Sequence, residues 1–521
     1  MHSINEKKIN SIILSEKINK IVKMIAECLD SIIINNKGFP ARSFYGESFA
    51  YWLLNSVGTK YTSSIEYLYK SYQVKDKNDP NFHWEFNDYA WINLFKETNE
   101  KRLVNFAYPL HFKNTKVTNW TLLRSCTRYH AGIEIDLALQ EAIKVLKKYQ
   151  KKSGLICDQV GVRSFQYHCF SAVMIAEIYE LGGGEFFLRR FYHAVGFISK
   201  FILRSGDTLY IGRGQEQSFG YGALIYLLAL SYKYFQDNEF LALLQKCLSF
   251  LMKYQRKDGS FPLVMNKMER GFPLEANPSD PKYPGWYQYN NYFDYLPFLG
   301  IFLHKAAKVL SSVSSENVSL GFISNKNYRD RDFILFRNNI YEAVLSRPGG
   351  NWKGKGGYWT NDIPIPYVVC NGKRITPSYG GEQYGNTIYS PEGIPLPLIV
   401  KNNEKISIRR NRMWSFFLGN TMIFISLSGI LIRHFKFYQS CIVIKDFMIG
   451  LKPMYTNYLF EKIDCVNNQV FNICNGAIIY TSKPMVKINK PCYFWGGILQ
   501  SLVSCNPTRY NKITISMEKV Q

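Results

Sequence analysis

EAIKVLKKYQKKSGLI at 141–156 and KCLSFLMKYQRKDGSFP at 246–262 follow one pattern. In each, an apolar-periodic helix closes on Tyr-Gln, a basic pair follows, and a Gly-containing turn opens a short extended piece. A fainter copy, EYLYKSYQVKDKNDPNF, lies at 66–82. Such helix-turn repeats arise where helical hairpins pack side by side, because one hairpin cannot bury its apolar face alone. The inner helices of such an array are apolar nearly all round, and YGALIYLLALSYKY at 221–234 fits. The pattern predicts an α/α toroid of helical hairpins over residues 1–308.

From 308 to 320 the chain turns polar and loses its period, which marks a boundary. Beyond it, short β-branched and aromatic runs such as FILFRNN, YEAVLS, MIFISLS and CIVIKDFMIG alternate with Gly, Pro and Asn. They predict an antiparallel β-sandwich over 321–521 and an α+β, two-domain chain. FFLGNTMIFISLSGILI at 416–432 is too short for a membrane-spanning helix and has a hairpin signal at Gly419-Asn420, so it reads as buried strands.

The 521 residues hold 64 Lys+Arg against 40 Asp+Glu, a net of +24, with 46% apolar and 16% aromatic residues. This excludes a disordered chain and describes a basic globular protein. Residues 321–521 carry 25 basic and 11 acidic side chains, the first 320 carry 39 and 29, so the second part is the more basic per residue. Basic charge with aromatic rings suits nucleic acids or acidic polysaccharides. The basic residues are dispersed and no nucleic-acid module is present, which favours the polysaccharide. Eleven cysteines show no CxxC pair, so free buried thiols are expected and no metal or cofactor. The first twenty residues lack the apolar core of a signal peptide, which reads as cytoplasmic.

Four clusters carry candidate chemistry. IGRGQEQSFGYGALIYLL at 211–228 places Arg213, Gln215 and Glu216 before Tyr221, whose flanking glycines and following helix N-terminus suit an anion. DQVGVRSFQYHCFSAVMIAEIYEL at 158–181 opens an apolar helix with Gln166 and His168. TNWTLLRSCTRYH at 118–130 offers Asn119, Arg124 and Arg128 for a carboxylate and Trp120 for a sugar face. GWYQYNNYFDYLPFLG at 285–300, with Trp286, Tyr289 and Asn290, reads as a sugar-binding wall, and the mixture around Trp84–Trp91 is similar.

A toroid followed by a β domain, with an Asn, a His and a later Tyr on successive inner helices, resembles the heparinase II/III and alginate lyase group of polysaccharide lyases. The separations here are 168 − 119 = 49 and 221 − 168 = 53 residues. The resemblance implies that Asn119 and His168 neutralise a substrate carboxylate and that Tyr221 acts as acid, or as base and acid. Members of that group often carry a histidine-rich strand motif and sometimes a metal, whereas His434 is the only histidine after residue 320. They are also usually exported.

β-Elimination removes the C5 proton of a uronate and expels the sugar at O4, so the adjacent carboxylate must first be neutralised. Asn119, His168 and Arg213 are the donors expected, with Arg213 lowering the Tyr221 pKa; whether His168 or Tyr221 is the base stays open. Two rivals remain. A toroid hydrolase would use paired carboxylates among Asp88, Glu216, Asp258 and Asp294. A non-catalytic polysaccharide-binding protein would need only the aromatic walls and the charge.

Overall fold

The computed structural model describes the chain from residue 8 to 520, apart from 77–78, 80–81, 114, 159–161, 213–215, 266–288, 314–317, 320–325, 348, 351–357, 361–364, 378–380, 383–398, 402–403, 407–413, 427–428, 451–455 and 495–496. Among the described residues twelve α-helices come first: α1 (Ser11–Asn36), α2 (Gly46–Val57), α3 (Thr62–Gln73), α4 (Trp84–Thr98), α5 (Val104–Ala107), α6 (Thr118–Ala131), α7 (Ile135–Tyr149), α8 (Phe165–Ile178), α9 (Glu185–Ser199), α10 (Ser218–Phe235), α11 (Asn238–Met252) and α12 (Tyr292–Ser311). The even-numbered helices pack in a closed ring, α2 on α4, α4 on α6, α6 on α8, α8 on α10, α10 on α12 and α12 back on α2. The odd-numbered helices lie outside it, completing an α/α toroid.

Burial separates the two rings. Every residue of α10 from Ser218 to Tyr232 is buried, whereas α7 buries only Ala138, Ala142, Val145 and Leu146, one stripe at helical spacing. Inner helices are enclosed on all sides, and outer helices keep one face in water. Stacked rings fill the bore: Phe86 on Phe170 at 5.6 Å and Phe298 on Phe302 at 4.2 Å between centroids.

The repeated turn has a defined geometry. Gly154 and Gly259 sit at φ 99° and 87°, where a side chain is strained, and a Cβ there would lie 1.9 and 2.3 Å from the carbonyl oxygens of His193 and Met24. The glutamine of each Tyr-Gln pair donates its amide to the same turn, Gln150 to the Gly154 carbonyl at 3.3 Å and Gln255 to that of Gly259 at 3.4 Å. A third copy at Gly206 has the same backbone bonds, with Leu203 N–H to Asp207 O at 3.0 Å matching Lys151 to Leu155 at 2.8 Å. Phe201-Ile202 replaces Tyr-Gln there, which hides the repeat in the sequence.

α12 runs on to Ser311, past the expected end at 308, because Leu310 continues its buried stripe. All the sheets that follow are antiparallel. One has five strands in the order Tyr328–Arg329, Phe333–Arg337, Tyr341–Ser346, Tyr367–Cys370 and Lys373–Arg374. A larger one has eight, in the order Trp414–Leu418, Thr421–Ser426, Gly429–Phe437, Cys441–Ile449, Tyr510–Ser516, Ile478–Thr481, Val470–Asn472 and Asp464–Cys465. The 416–432 segment is therefore strands joined by a turn at Gly419-Asn420, and among the described residues no helix is long and apolar enough to cross a membrane.

Alternation with period two sets the layers. Phe333, Leu335, Val344, Tyr367 and Val369 of the five-stranded sheet join the helical core, while Ile334, Ala343, Leu345 and Val368 join Leu431, Ile444 and Ile513 of the larger sheet. The five-stranded sheet is thus the middle layer. Buried charge pins it to the repeat turns: Asp332 accepts from Arg163 at 3.1 Å, from Arg347 at 2.7 Å and from Lys151. Glu342 accepts from the Arg204 backbone and from Arg337, each at 2.8 Å.

Candidate functional site

All six inner helices start at the same end of the ring, and that end holds a cavity of about 200 Å³. Each helix contributes from its first turn or the residues just before it: Tyr45 (α2), His83 and Phe86 (α4), Asn119 and Trp120 (α6), Tyr167 (α8), Phe219 (α10), and Tyr289 and Tyr295 (α12), with Thr115 and Val117 completing the wall. A helix N-terminus carries about half a positive charge, so six converging ones favour an anion in this cleft.

The walls are aromatic and closely set. His83 lies 4.6 Å from Tyr289, 4.9 Å from Trp120 edge-on and 5.8 Å from Tyr45 in a near-parallel stack. Asn119 accepts the Trp120 backbone N–H on its Oδ1 at 2.8 Å. Behind the wall, Gln166 donates to Gln217 Oε1 at 2.8 Å, the Tyr295 hydroxyl donates to the same oxygen at 3.1 Å, and Asn290 donates to that hydroxyl. Asp294 Oδ1 accepts the backbone N–H groups of Phe44, Tyr45 and Gly46 at 2.7–2.8 Å, which holds the start of α2 against α12. Burial pushes this carboxyl up to about 7.

Of the expected site residues, Asn119, Trp120 and Tyr289 line the cleft, and Gln166 and Asn290 stand directly behind it. Arg213, Gln215 and Trp286 lie outside the described residues. The others are turned elsewhere. His168 is fully buried on the outer side of α8, where Nδ1 accepts the Ile156 N–H and Nε2 donates to the Ala194 carbonyl, both at 3.0 Å. Burial lowers it to about 4, so it is a neutral structural imidazole rather than a carboxylate donor.

Tyr221 packs on Phe250 of α11 and donates to Asp207 at 3.3 Å, and burial drives its phenol well above the ordinary value. Asp207, pushed up to about 6 by burial, also accepts from Tyr367 of the middle sheet. Glu216 pairs with Arg374 at 3.5 Å in the same interlayer network. Arg124 and Arg128 both grip Glu141, at 3.2 and 2.7 Å. The glycines beside Tyr221 serve packing: a Cβ at Gly220 would meet Gln166, and one at Gly222 would meet Leu299 of α12.

His83 and Tyr45 are cleft residues that the motifs missed. Their signal is positional, since each immediately precedes an inner helix. None of the carboxylates weighed for hydrolysis lines the cleft, and neither does any other among the described residues. Asp88 accepts from the His111 backbone at 2.6 Å and Asp258 caps Ser260 at 2.7 Å.

No family model and no curated protein matches the chain. Solved structures of similar course include a heparinase III, at 13% identity and TM-score 0.48, covering 96% of this chain and 84% of that one. A polysaccharide lyase matches at 12% and TM-score 0.42, covering 58% of this chain and 100% of that one. A glycosyl hydrolase of family 88 from Bacteroides vulgatus matches at 12% and TM-score 0.41, covering 57% and 99%.

Proposed function

We propose that the chain is a carbohydrate-active enzyme that cleaves a uronate-containing acidic polysaccharide by β-elimination in the aromatic cleft. One observation carries the reading: a histidine, an amide and several phenols meet at six helix N-termini, with no carboxylate among the described lining residues. Rings flanking the cavity suit sugar faces, and the converging dipoles with the net charge of +24 suit a polyanion. Paired-carboxylate hydrolysis lacks its acids in this lining.

The chemistry expected of His168 and Tyr221 passes to His83 and Tyr289. The helix N-termini and the Asn119 amide neutralise the substrate carboxylate. His83 takes the C5 proton, that electron pair forms the C4–C5 double bond, the C4–O4 bond breaks, and Tyr289 gives its proton to O4. Trp120 holds a sugar face.

The test is incubation with a panel of uronate polysaccharides, reading the ultraviolet absorbance of the unsaturated product. His83→Ala is expected to lower kcat roughly 10²- to 10⁴-fold, with Tyr289→Phe also impaired and Tyr221→Phe close to wild type in kcat. Saturated reducing ends without absorbance would make the protein a hydrolase. Binding without any product would make it a polysaccharide-binding protein.

A further inference from the structure

Some ten residues along α8 from the cleft, or ~15 Å, the bore holds a second polar group. Cys126 and His130 stand four residues apart on one face of α6 and point at Glu177 on α8, and their ligand atoms all lie within 4.8 Å of one another. Glu177 Oε2 is 3.0 Å from His130 Nε2 and 3.3 Å from Cys126 Sγ. Two ligands of a tetrahedral zinc ion, bound at about 2.0–2.3 Å, stand roughly 3.3–3.6 Å apart, so these separations are close to the edges of such a tetrahedron.

The carboxylate is divided between two tasks. Oε1 takes the Lys305 ammonium, the Tyr89 hydroxyl bridges both oxygens at 2.9 Å, and Oε2 also faces the Cys126 sulfur and the His130 imidazole. Lys305 neutralises the charge of Glu177, and a divalent ion would be balanced further by a Cys126 thiolate. The place also has the right polarity. His130 and Glu177 lie in the last turns of α6 and α8, where the inner helices present their negative ends.

We infer that Cys126, His130 and Glu177 form a binding site for a zinc-like divalent cation, a mixed sulfur, nitrogen and oxygen set that suits Zn²⁺ over Mg²⁺ or Ca²⁺. Binding converts the Cys126 thiol to a metal-bound thiolate, and its proton goes to solvent. The stacked phenylalanines separate this site from the cleft, so it stands whether or not the cleft is a lyase site.

The experiment uses the full chain stripped with EDTA, desalted, and titrated with Zn²⁺ and separately with Co²⁺. The expected result is one retained equivalent of either metal, and for Co²⁺ a sulfur-to-metal charge-transfer band. Cys126→Ser should abolish the band and Cys157→Ser, a buried thiol elsewhere in the toroid, should keep it; Glu177→Gln should weaken binding roughly 100-fold. No retained metal and no band in the folded wild-type chain would overturn the inference without any variant. A band that survives in folded Cys126→Ser would overturn it equally, placing the metal elsewhere.

Discussion

His168 follows Tyr167 by one position, yet the two side chains leave α8 about 100° apart. Tyr167 enters the cleft and His168 is sealed between α8 and α9. Phe219 and Tyr221 divide in the same way across α10. The sealed imidazole has a consequence for stability. Its pKa is about 4 in the fold against 6.5 when exposed, so the unfolded chain binds the proton more readily. Its contribution is complete above pH 6.5 and is lost as pH falls towards 4, at up to ~1.4 kcal/mol per pH unit. Asp294 and Asp207, whose carboxyls burial raises, act with the opposite sign over this range, so the histidine is read as a difference: the stability of wild type relative to His168→Gln should fall as pH is lowered from 7 to 4. His304, also lowered to about 4 by burial, adds to the slope in both proteins.

Turns and helices differ in how plainly their residues announce them. The copies at 154 and 259 were visible because a glutamine amide has a bond to make there, and the copy at 206 was not, because Ile202 makes none. The helical first half and the inner position of 221–234 are legible in the apolar pattern, and the strand-rich second half in its β-branched and aromatic runs. The sequence places Asn119, His168 and Tyr221 on inner helices, but of these only Asn119 lines the cleft, since an inner helix is apolar all round and gives no phase to orient a polar residue. His83 was missed because it precedes its helix rather than belonging to it. The turn geometry is testable by paired substitutions. Gly206→Ala forces a Cβ to 2.1 Å from the Lys246 carbonyl at φ 87°, whereas Gly132→Ala, at φ 71°, meets nothing within 4 Å. Urea denaturation should show a loss of roughly 3 kcal/mol or more for the first and about 1 kcal/mol for the second.

Between the layers, three cations converge on one carboxylate. Arg163, Lys151 and Arg347 hold Asp332 well below the usual carboxylate range, although burial alone would raise it. Removing it leaves the buried Arg163 guanidinium without its anion, a change worth about 3–5 kcal/mol, while the half-buried Lys151 and Arg347 can turn to solvent. Asp332→Ala should split a single thermal transition into two, and proteolysis should then cut between helices and sheets. The molecule's charge makes its own prediction. A polyanion drawn by dispersed basic residues and helix dipoles should bind more slowly as salt is raised, by about tenfold or more in association rate between 0.01 and 0.15 M. Stopped-flow measurement of fluorescence from Trp120 in the cleft would read it.

The closed ring also has a history in time. α1 packs mainly on α12, and Ser15 bonds the Ala307 carbonyl across 292 residues of chain. During synthesis from the N-terminus, α1 emerges first and its partner last among the helices. α2 and α3 give it early partners, but the part of its buried stripe of Leu14, Ile18, Ile21 and Ile25 that α12 covers must wait while the rest of the toroid is translated. At elongation speeds of ~5–20 residues per second that wait is tens of seconds. A nascent chain stalled before α12 should therefore be a chaperone client, and one stalled well beyond Ser319, where Lys8–Ile9 is stitched to Val318–Ser319, should not.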